Sequence, residues 1–590
     1  MFNRVKWFTF ANFAIVAIFI LLIFAQANKK FVLDEVDFPA VAKTISQTGM
    51  PYEYRGENES KALGLWHPPL YAYSLGAFVK VFGANENMVR AFGMCCTLLS
   101  ALLCLLIYNV RIRTTGKVIN PISTIFLSLF LFHPYTIANT TLPDIDSTIL
   151  PVTFLAFIYG LARKLWSSDV KGPPEWSAND TVFIAILFAL NLWAKLTTPL
   201  VLIPLLLVII YIEGFSLRRS ILIASSVAIL GAIFFLVTYA LYCYLFSLPY
   251  DYTFRFLIHS FTKNSSGGGV GSLIKGVLIN LGYITQFVNW LGLPFLFAFA
   301  LTVSSLIFRK LRSKIDVLML ILAGVGLFVA IFYLSLTGAF GGFFKYPYPV
   351  FPILMLIVAH HFYEQVFMSN LSANSIRISI ENREINISHA HIIIFIFFAV
   401  VMIVGYLQLV YVKDSVIMKG NPVGFSFLFV FVGMAILFGA LGAKKQEKLF
   451  YKYGLTLLFA TIVVMNFGIS RSQAISPYPT KYHYGQIGLD ETVVYLKSKL
   501  KLQEPIWSMK DIGLYASGVY YENYGSLFKT EAEIKIEFKD LIENKGVRYF
   551  VVTTGIGQDR IDAYGDLKRS LDACCNKDQE FGNLIIYKAK

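Results

Sequence analysis

The sequence predicts a polytopic α-helical membrane protein of about thirteen transmembrane helices, followed by a small extracytoplasmic α/β domain. Three observations predict it. Hydrophobic residues make up 56% of the chain and charged residues only 15%, where a soluble domain carries about 25% charge. Mean hydropathy is +0.62. Apolar stretches of roughly 18 to 25 residues recur as far as Pro477, each long enough to cross about 30 Å of hydrocarbon as a helix, and then they stop. The expected division is therefore a membrane domain over residues 1–476 and an α/β domain over residues 477–590.

The first span runs from about Phe8 to Ala27. Arg4 and Lys6 precede it, and no small-residue cleavage site comes before Asn28-Lys29-Lys30, so it stays attached. Further spans are expected near 88–109, 118–138, 147–163, 181–194, 197–213, 220–246, 286–308, 316–336, 348–367, 391–412, 422–442 and 449–468. The break between Ala194 and Thr197 allows either two short spans or one long re-entrant element. Every second short loop is basic, for example Arg111/Arg113/Lys117, Arg218/Arg219, Arg309/Lys310/Arg312/Lys314 and Lys444/Lys445/Lys448, while the alternate loops are nearly free of Lys and Arg. By the positive-inside rule this places the N-terminus in the cytoplasm of a plasma (inner) membrane and, after an odd number of crossings, the C-terminal domain outside. The net charge of +15 is thus a topology signal rather than a nucleic-acid footprint, and no nucleic-acid partner is expected.

Two outer segments, 28–87 and 247–285, are too long to be plain turns. Val36 to Gln47 and Leu70 to Phe82 have apolar residues at helical spacing and are expected to lie along the membrane surface. Ser265-Ser266-Gly267-Gly268-Gly269 is either a lid hinge or a flexible connector. No internal repeat is detectable, which weighs against a secondary transporter. The six cysteines form no metal-ligand pattern; adjacent Cys574 and Cys575 are expected as two free thiols because a disulfide between neighbours is strained.

The densest polar constellation is Asp34-Glu35-Val36-Asp37, followed by His67-Pro68-Pro69-Leu70. A carboxylate at a membrane surface loses solvation and gains basicity, which suits it to take a proton from a hydroxyl. The competing reading makes Asp34 an N-cap with Asp37 in the first turn. Asp146 lies in Leu142-Pro143-Asp144-Ile145-Asp146-Ser147, where it is either a site acid or the cap of the following helix. His133, His360 and His361 suggest packing or interface anchoring.

The order Leu33-Asp34-Glu35, Thr48-Gly49, Trp66-His67-Pro68-Pro69-Leu70-Tyr71, Phe82-Gly83 and Arg90 resembles the first outer loop of GT-C superfamily glycosyltransferases. The protein O-mannosyltransferase and lipid A aminoarabinose transferase families are the nearest likeness. The likeness extends in architecture to the whole chain, but its motifs are confined to roughly the first 200 residues and one later loop. It implies an inverting enzyme that transfers a sugar from a polyprenyl-phosphate donor to a hydroxyl of an extracytoplasmic acceptor. Asp34 would be the general base, Glu35 would help orient the acceptor, and His67 would sit among the substrate-binding residues. Asp146 matches the second acidic position of these families better than Asp144. The leaving phosphate would need fixed positive charge, and the resemblance offers Arg90, Lys195 in Leu192-Trp193-Ala194-Lys195-Leu196-Thr197, and Lys345-Tyr346 in Phe343-Phe344-Lys345-Tyr346-Pro347-Tyr348-Pro349. Interfacial anchoring is the alternative for all three basic residues and for the tyrosines. The resemblance requires no cofactor; the Asp144-Ile145-Asp146 spacing leaves a divalent metal open.

From about Tyr482 the pattern becomes helix 487–501, a strand at 506–509, helix 530–545, a strand at 547–552, another helix and a strand at 584–587. Thr554-Gly555-Ile556-Gly557 lacks the third glycine of a phosphate loop, so this region is expected to be structural or to recognise the acceptor. Two other functions fit the same composition: a non-enzymatic lipid-linked substrate transporter or flippase, and a membrane assembly protein with an external binding domain.

Overall fold

The computed structural model describes residues 2–31, 35–54, 61–113, 120–166, 175–264, 345, 346, 348–363, 375–380, 383–388, 460, 463, 464, 466–468, 470, 471, 488–501, 504–522, 530–554 and 565–590. The expected spans 286–308, 316–336, 391–412 and 422–442, most of 449–468, the Ser265–Gly269 segment and Asp34 lie outside the described residues. The chain forms two compact units: residues 1–25 with 91–474, and residues 26–90 with 475–590. The second unit joins the segment between the first two long apolar helices to the C-terminal segment, a grouping that composition along the chain does not suggest.

α1 (Phe2–Ala27), α4 (Glu86–Arg113), α7 (Ile149–Trp166) and α10 (Leu217–Leu245) are long and apolar enough to cross a membrane; α7 and α10 lie wholly in the first unit, which holds α1 as far as Ala25 and α4 from Ala91 on. The chain is an integral membrane protein. Exposed apolar side chains such as Phe13, Leu21, Ile229 and Val237 cover the outer faces of α1 and α10, as lipid contact demands. The span expected at 118–138 is broken instead. α5 (Asn120–Leu131) and α6 (Pro134–Thr141) meet at 64°. Pro134 lacks an N–H and clashes with a helical predecessor, so His133 turns extended (φ −70°, ψ 129°) and caps α6 through its ring, with Tyr135 N donating to Nδ1 at 3.1 Å.

The Ala194–Thr197 region resolves as two helices. α8 (Ala178–Ala194) ends at Lys195, which is extended (φ −158°, ψ 143°), and a 3-10 turn at Thr198–Val201 leads into α9 (Leu202–Ile212). Polar side chains bind the helices where hydrophobicity gives no preference between lipid and protein. Asn12 of α1 donates to Ser123 Oγ at 2.8 Å and accepts from Thr124 Oγ1 at 2.7 Å, and Asn191 donates to the carbonyl of Thr153 at 2.9 Å. Gly93 on α4 lets α6 approach: a Cβ there would lie 2.2 Å from the Thr140 carbonyl oxygen, beside a 2.9 Å bond between Thr97 and Thr140 hydroxyls. α11 (Tyr252–Asn264) follows α10 within the long segment 247–285. After Tyr348–Val350, a 3-10 turn, comes α12 (Phe351–Tyr363), whose His360 accepts or donates a 2.9 Å bond with Tyr108 of α4.

In the second unit, α2 (Asp37–Thr48) and α3 (Leu70–Phe82) match the two expected surface helices. They pack on each other through Val41, Ile45 and Ala72, with Trp66 and Tyr73 alongside. α2 therefore spends its apolar face on protein, while α3 leaves Val81 and Phe82 exposed near its end. Gly76 permits the close approach, since a Cβ there would meet Ile45 at 2.8 Å. Between the helices lies an antiparallel pair, β1 (Tyr52–Tyr54) and β2 (Lys61–Leu63), too short for sequence periodicity to reveal. The N-cap position of α2 is Val36 and makes no side-chain cap, so the capping reading of Asp34 does not describe this helix start. A second antiparallel pair, β3 (Ser375–Ile380) and β4 (Arg383–Ser388), belongs to the first unit.

The C-terminal residues form α13 (Leu489–Lys499), β5 (Ile506–Ser508), α14 (Lys510–Ala516), β6 (Tyr520–Glu522), α15 (Glu531–Glu543), β7 (Tyr549–Thr553), α16 (Gly565–Cys574), β8 (Cys575–Phe581) and β9 (Leu584–Ala589). The sheet order is β6-β5-β7-β9-β8, with β5 parallel to β6 and β7, and β9 antiparallel to β7 and β8. Side chains alternate between two apolar cores: Trp507, Phe550, Val552, Ile585 and Tyr587 face Phe538 and Leu571, whereas Ile506, Tyr549, Val551, Leu584 and Ile586 face Leu489, Leu496 and Ile512. Burial on both faces explains why β7 is a continuous apolar run. Edge strand β8 is polar and mostly exposed, which discourages pairing with another chain. Cys574 and Cys575 are free thiols with sulfurs 3.3 Å apart.

Candidate active site

In the first unit, three breaks in helical backbone bring four charged side chains together. Residues 142–148 link α6 to α7, Lys195 ends α8, and Lys345-Tyr346 precedes the turn into α12. Lys195 Nζ donates to both carboxylate oxygens of Asp146, at 2.7 and 2.6 Å. Lys345 Nζ donates to Asp144 Oδ2 at 2.6 Å. The two carboxyl groups are tied through the backbone, with Asp146 N donating to Asp144 Oδ1 at 3.0 Å. Both ammonium groups lie over one aromatic ring: Tyr346's centroid is 4.4 Å from Lys195 Nζ and 5.7 Å from Lys345 Nζ. Asp144, Asp146 and Lys195 are 7%, 2% and 3% exposed, so water screens these charges little.

Burial raises both carboxyl groups, but they diverge. At Asp144 the Lys345 ammonium, Lys195 and the Asp146 N–H overcome it, and the acid is held below the usual carboxylate range. At Asp146 burial, reinforced by the neighbouring Asp144 charge, outweighs Lys195 and pushes the acid up to about 6. Burial pushes the Tyr346 phenol up to about 12, so it stays a hydrogen-bond donor. The surrounding loop is held by Thr148 Oγ1 donating to the Asp144 carbonyl at 2.6 Å and Ser147 Oγ donating to Asn139 Oδ1 at 3.1 Å. Among the described residues, no group of three or more His, Cys, Asp or Glu side chains is placed to hold a metal ion. The Asp144-Ile145-Asp146 carboxylates already face ammonium groups.

In the second unit, the first loop is anchored at both ends. Glu35 and Arg90 are each 4% exposed and 3.8 Å apart. Arg90 also donates to the carbonyls of Ala27 at 2.8 Å, Lys29, and Lys30 at 3.4 Å, and stacks its guanidinium 4.9 Å from the Phe31 ring centroid. These carbonyls lie at the end of α1 and just beyond it, so Arg90 clasps the chain where the helix stops. Burial, aided by Arg90, pushes the Lys29 ammonium down to about 8. Lys510 donates to both oxygens of Asp37 at 2.6 Å. The Tyr515 hydroxyl accepts from Phe31 N and donates to Glu86 Oε1, each at 2.8 Å. Lys30 pairs with Asp490. His67 is half-buried in the turn leading to α3.

The structure thus joins Asp146, Lys195, Lys345 and Tyr346, four residues singled out in the sequence, and adds Asp144, whose two-residue spacing from Asp146 was the available signal. Lys510 and Tyr515 had no signal, because nothing local marks a partner more than 400 residues away.

No family model and no curated protein matches the sequence. Solved structures do. ArnT from Cupriavidus metallidurans bound to undecaprenyl phosphate superposes with a TM-score of 0.57 at 14% identity, over 97% of each chain. Its apo state gives 0.54 over the same coverage. The chain has the ArnT fold. ArnT is a lipid A aminoarabinose transferase of the GT-C superfamily, which is the resemblance carried by the Asp-Glu and His-Pro-Pro-Leu motifs. The Archaeoglobus fulgidus oligosaccharyltransferase in its apo form is similar at 11% identity and TM-score 0.48, over 92% of this chain and 69% of that one.

Proposed function

We propose that the protein is a membrane glycosyltransferase that moves a hexosyl or pentosyl group from a polyprenyl-phosphate carrier to a hydroxyl of an extracytoplasmic glycan, lipid or protein. The observation that carries this reading is the convergence of Lys195 and Lys345 on one half-buried tyrosine ring, each ammonium held by its own carboxylate. A phosphate leaving group needs fixed donors where its negative charge grows, in surroundings that exclude water. Two lysines and a protonated tyrosine supply them. ArnT, whose fold this chain shares, has been solved with undecaprenyl phosphate bound.

In the proposed reaction the acceptor oxygen attacks the anomeric carbon as the bond from that carbon to the phosphate oxygen breaks. The configuration inverts, the acceptor proton passes to Asp34, and the carrier leaves as polyprenyl phosphate. Glu35, fixed through Arg90, orients rather than takes the proton. The catalytic loop works outside the plasma (inner) membrane, with the N-terminus in the cytoplasm and the C-terminal α/β region outside. No cofactor is assigned a step. Purified protein incubated with a panel of polyprenyl-phosphate sugars and candidate acceptors should release the carrier with at least one donor. No release with any donor, from protein that still binds undecaprenyl phosphate, contradicts transfer and leaves a carrier-handling protein.

A further inference from the structure

Two pairs of adjacent cysteines occur in the chain, and the backbone treats them differently. Cys95 and Cys96 lie inside α4, which runs through both without a break. Neighbours on a helix are turned about 100° from each other, so their thiols do not face one another. Cys574 is the last residue of α16 and Cys575 the first of β8. The change from helix to strand at that peptide bond swings the two side chains together, and their sulfurs lie 3.3 Å apart.

The two thiols differ in their surroundings. Cys575 is buried in the core that holds Trp507, Phe550 and Leu571, while Cys574 is half-buried at the edge of it, with Sγ 3.8 Å from the Leu571 carbonyl. Lys590 lies over the end of α16. Its backbone N–H donates to the Cys574 carbonyl at 3.1 Å, and its ammonium to the carbonyls of Asp572 at 3.0 Å and Ala573 at 2.9 Å. Those carbonyls form the negative end of the helix, which would otherwise oppose a thiolate at its last residue. A bond from the Cys575 S–H, helped by the Lys590 charge, draws the Cys574 thiol below its ordinary value, whereas the same bond and burial push Cys575 up. One sulfur is thus the nucleophile and the other its proton donor.

Packing explains a buried Cys575, but not a second sulfur in contact with it beside an ammonium group. Stapling does not explain the pair either: a disulfide between neighbours closes almost no loop and adds little to stability. The same small ring makes such a bridge easy to reduce again, which is the behaviour of labile rather than structural disulfides.

We infer that Cys574 and Cys575 form a redox-active dithiol, a modification site for small disulfides in the α/β region. The Cys574 thiolate attacks one sulfur of a disulfide R–S–S–R; that S–S bond breaks, a mixed disulfide forms on Cys574, and one RS⁻ leaves. The Cys575 sulfur then attacks Cys574 Sγ, expels the second RS⁻, and closes the bridge. The protons of the two protein thiols go to the two leaving groups, so two R–SH form as the protein loses two electrons. The site is independent of the sugar-transfer reading. On the proposed topology it faces the compartment in which disulfides persist.

The test uses the full-length protein in lipid nanodiscs, reduced, freed of reductant and exposed to oxidised glutathione, with the peptide holding Cys574 and Cys575 followed by mass. Wild type should lose two hydrogens there, keep no glutathione, and regain both hydrogens with dithiothreitol. Cys575→Ala should stop at a glutathione adduct on Cys574, and Cys574→Ser should leave Cys575 a thiol. Lys590→Gln should slow the first step about tenfold, and Lys590→Arg should restore most of the rate. Two unmodified thiols in the wild type, under conditions that oxidise added free cysteine, overturn the proposal. So does a lasting glutathione adduct on wild-type Cys574, since closing the bridge must expel it. Equal rates in Lys590→Gln and wild type overturn the role of the ammonium.

Discussion

The cluster around Tyr346 in the first unit and the ties between the first loop and the C-terminal helices in the second handle charge differently, although the second unit also buries one pair, Glu35–Arg90, at 4% exposure each. Around Tyr346, Asp146 and Lys195 are almost wholly buried, and Lys345–Asp144 nearly so, with every charge compensated at 2.6 to 2.7 Å. In the second unit the pairs Lys510–Asp37 and Lys30–Asp490 are partly open to solvent, at 15% and 22%, and 29% and 65%, exposure of their side chains. Burying ions costs several kcal/mol each, and mutual attraction offsets that only when geometry is good. A protein does not carry such a cost for stability alone, since apolar residues would pack as well. Under the proposed function, the buried cluster is stored electrostatic capacity for an anionic group. The more exposed of the second-unit pairs, Lys30–Asp490, costs less to make and break.

Substitutions that break one side of this comparison should differ sharply in size. The largest effect is expected on rate: Asp34→Asn should lower turnover by about 10²–10⁴, the usual worth of general-base catalysis, with thermal unfolding unchanged. Next, Lys195→Ala leaves the Asp146 carboxylate buried and alone. It should destabilise by about 3–5 kcal/mol, as measured by thermal or denaturant unfolding in detergent. Lys195→Met with Asp146→Leu should recover most of that loss, because removing both charges removes the penalty.

A pH effect of intermediate size follows from the raised Asp146. Its folded-state value of about 6 lies above the unfolded 3.8, so between those values the native state binds the extra proton. Stability from this group is full below about pH 4 and falls as pH rises through about 6. Asp144, whose value is lowered, acts in the opposite sense and only below its ordinary range. Unfolding midpoints of wild type and Asp146→Asn should therefore converge or diverge only across pH 4 to 6, with the wild type losing ground as pH rises; parallel curves would remove the shift. The smallest effect is expected at the rim, where Lys30→Ala should cost under about 1 kcal/mol and less in high salt.

Much of the scaffold was legible because it depends on local periodicity. α1, α4, α7 and α10 follow long apolar runs, β7 a short one, and α3 the helical spacing of its apolar residues. Where the sequence allowed two answers or misled, backbone chemistry decided: Pro134 breaks the 118–138 span, and Lys195 terminates α8. The candidate site was legible as residue types at span ends, but not as pairs. That Asp144 takes Lys345 and Asp146 takes Lys195 depends on folding across 201 and 49 residues. Arg90 looked like a phosphate ligand by position, yet its donors go to the carbonyls after α1, a demand created by the helix end and invisible in a motif.

The central claim, that the buried lysine–carboxylate cluster is a seat for a lipid phosphate, is tested most directly by the affinity of purified protein for undecaprenyl phosphate. Wild type is compared with the doubly neutral Lys345→Gln/Asp144→Asn, which keeps packing and net charge. Loss of one charge-assisted bond of about 1.5–3 kcal/mol should weaken binding by roughly tenfold to a hundredfold. Equal affinity in the two proteins would contradict the account.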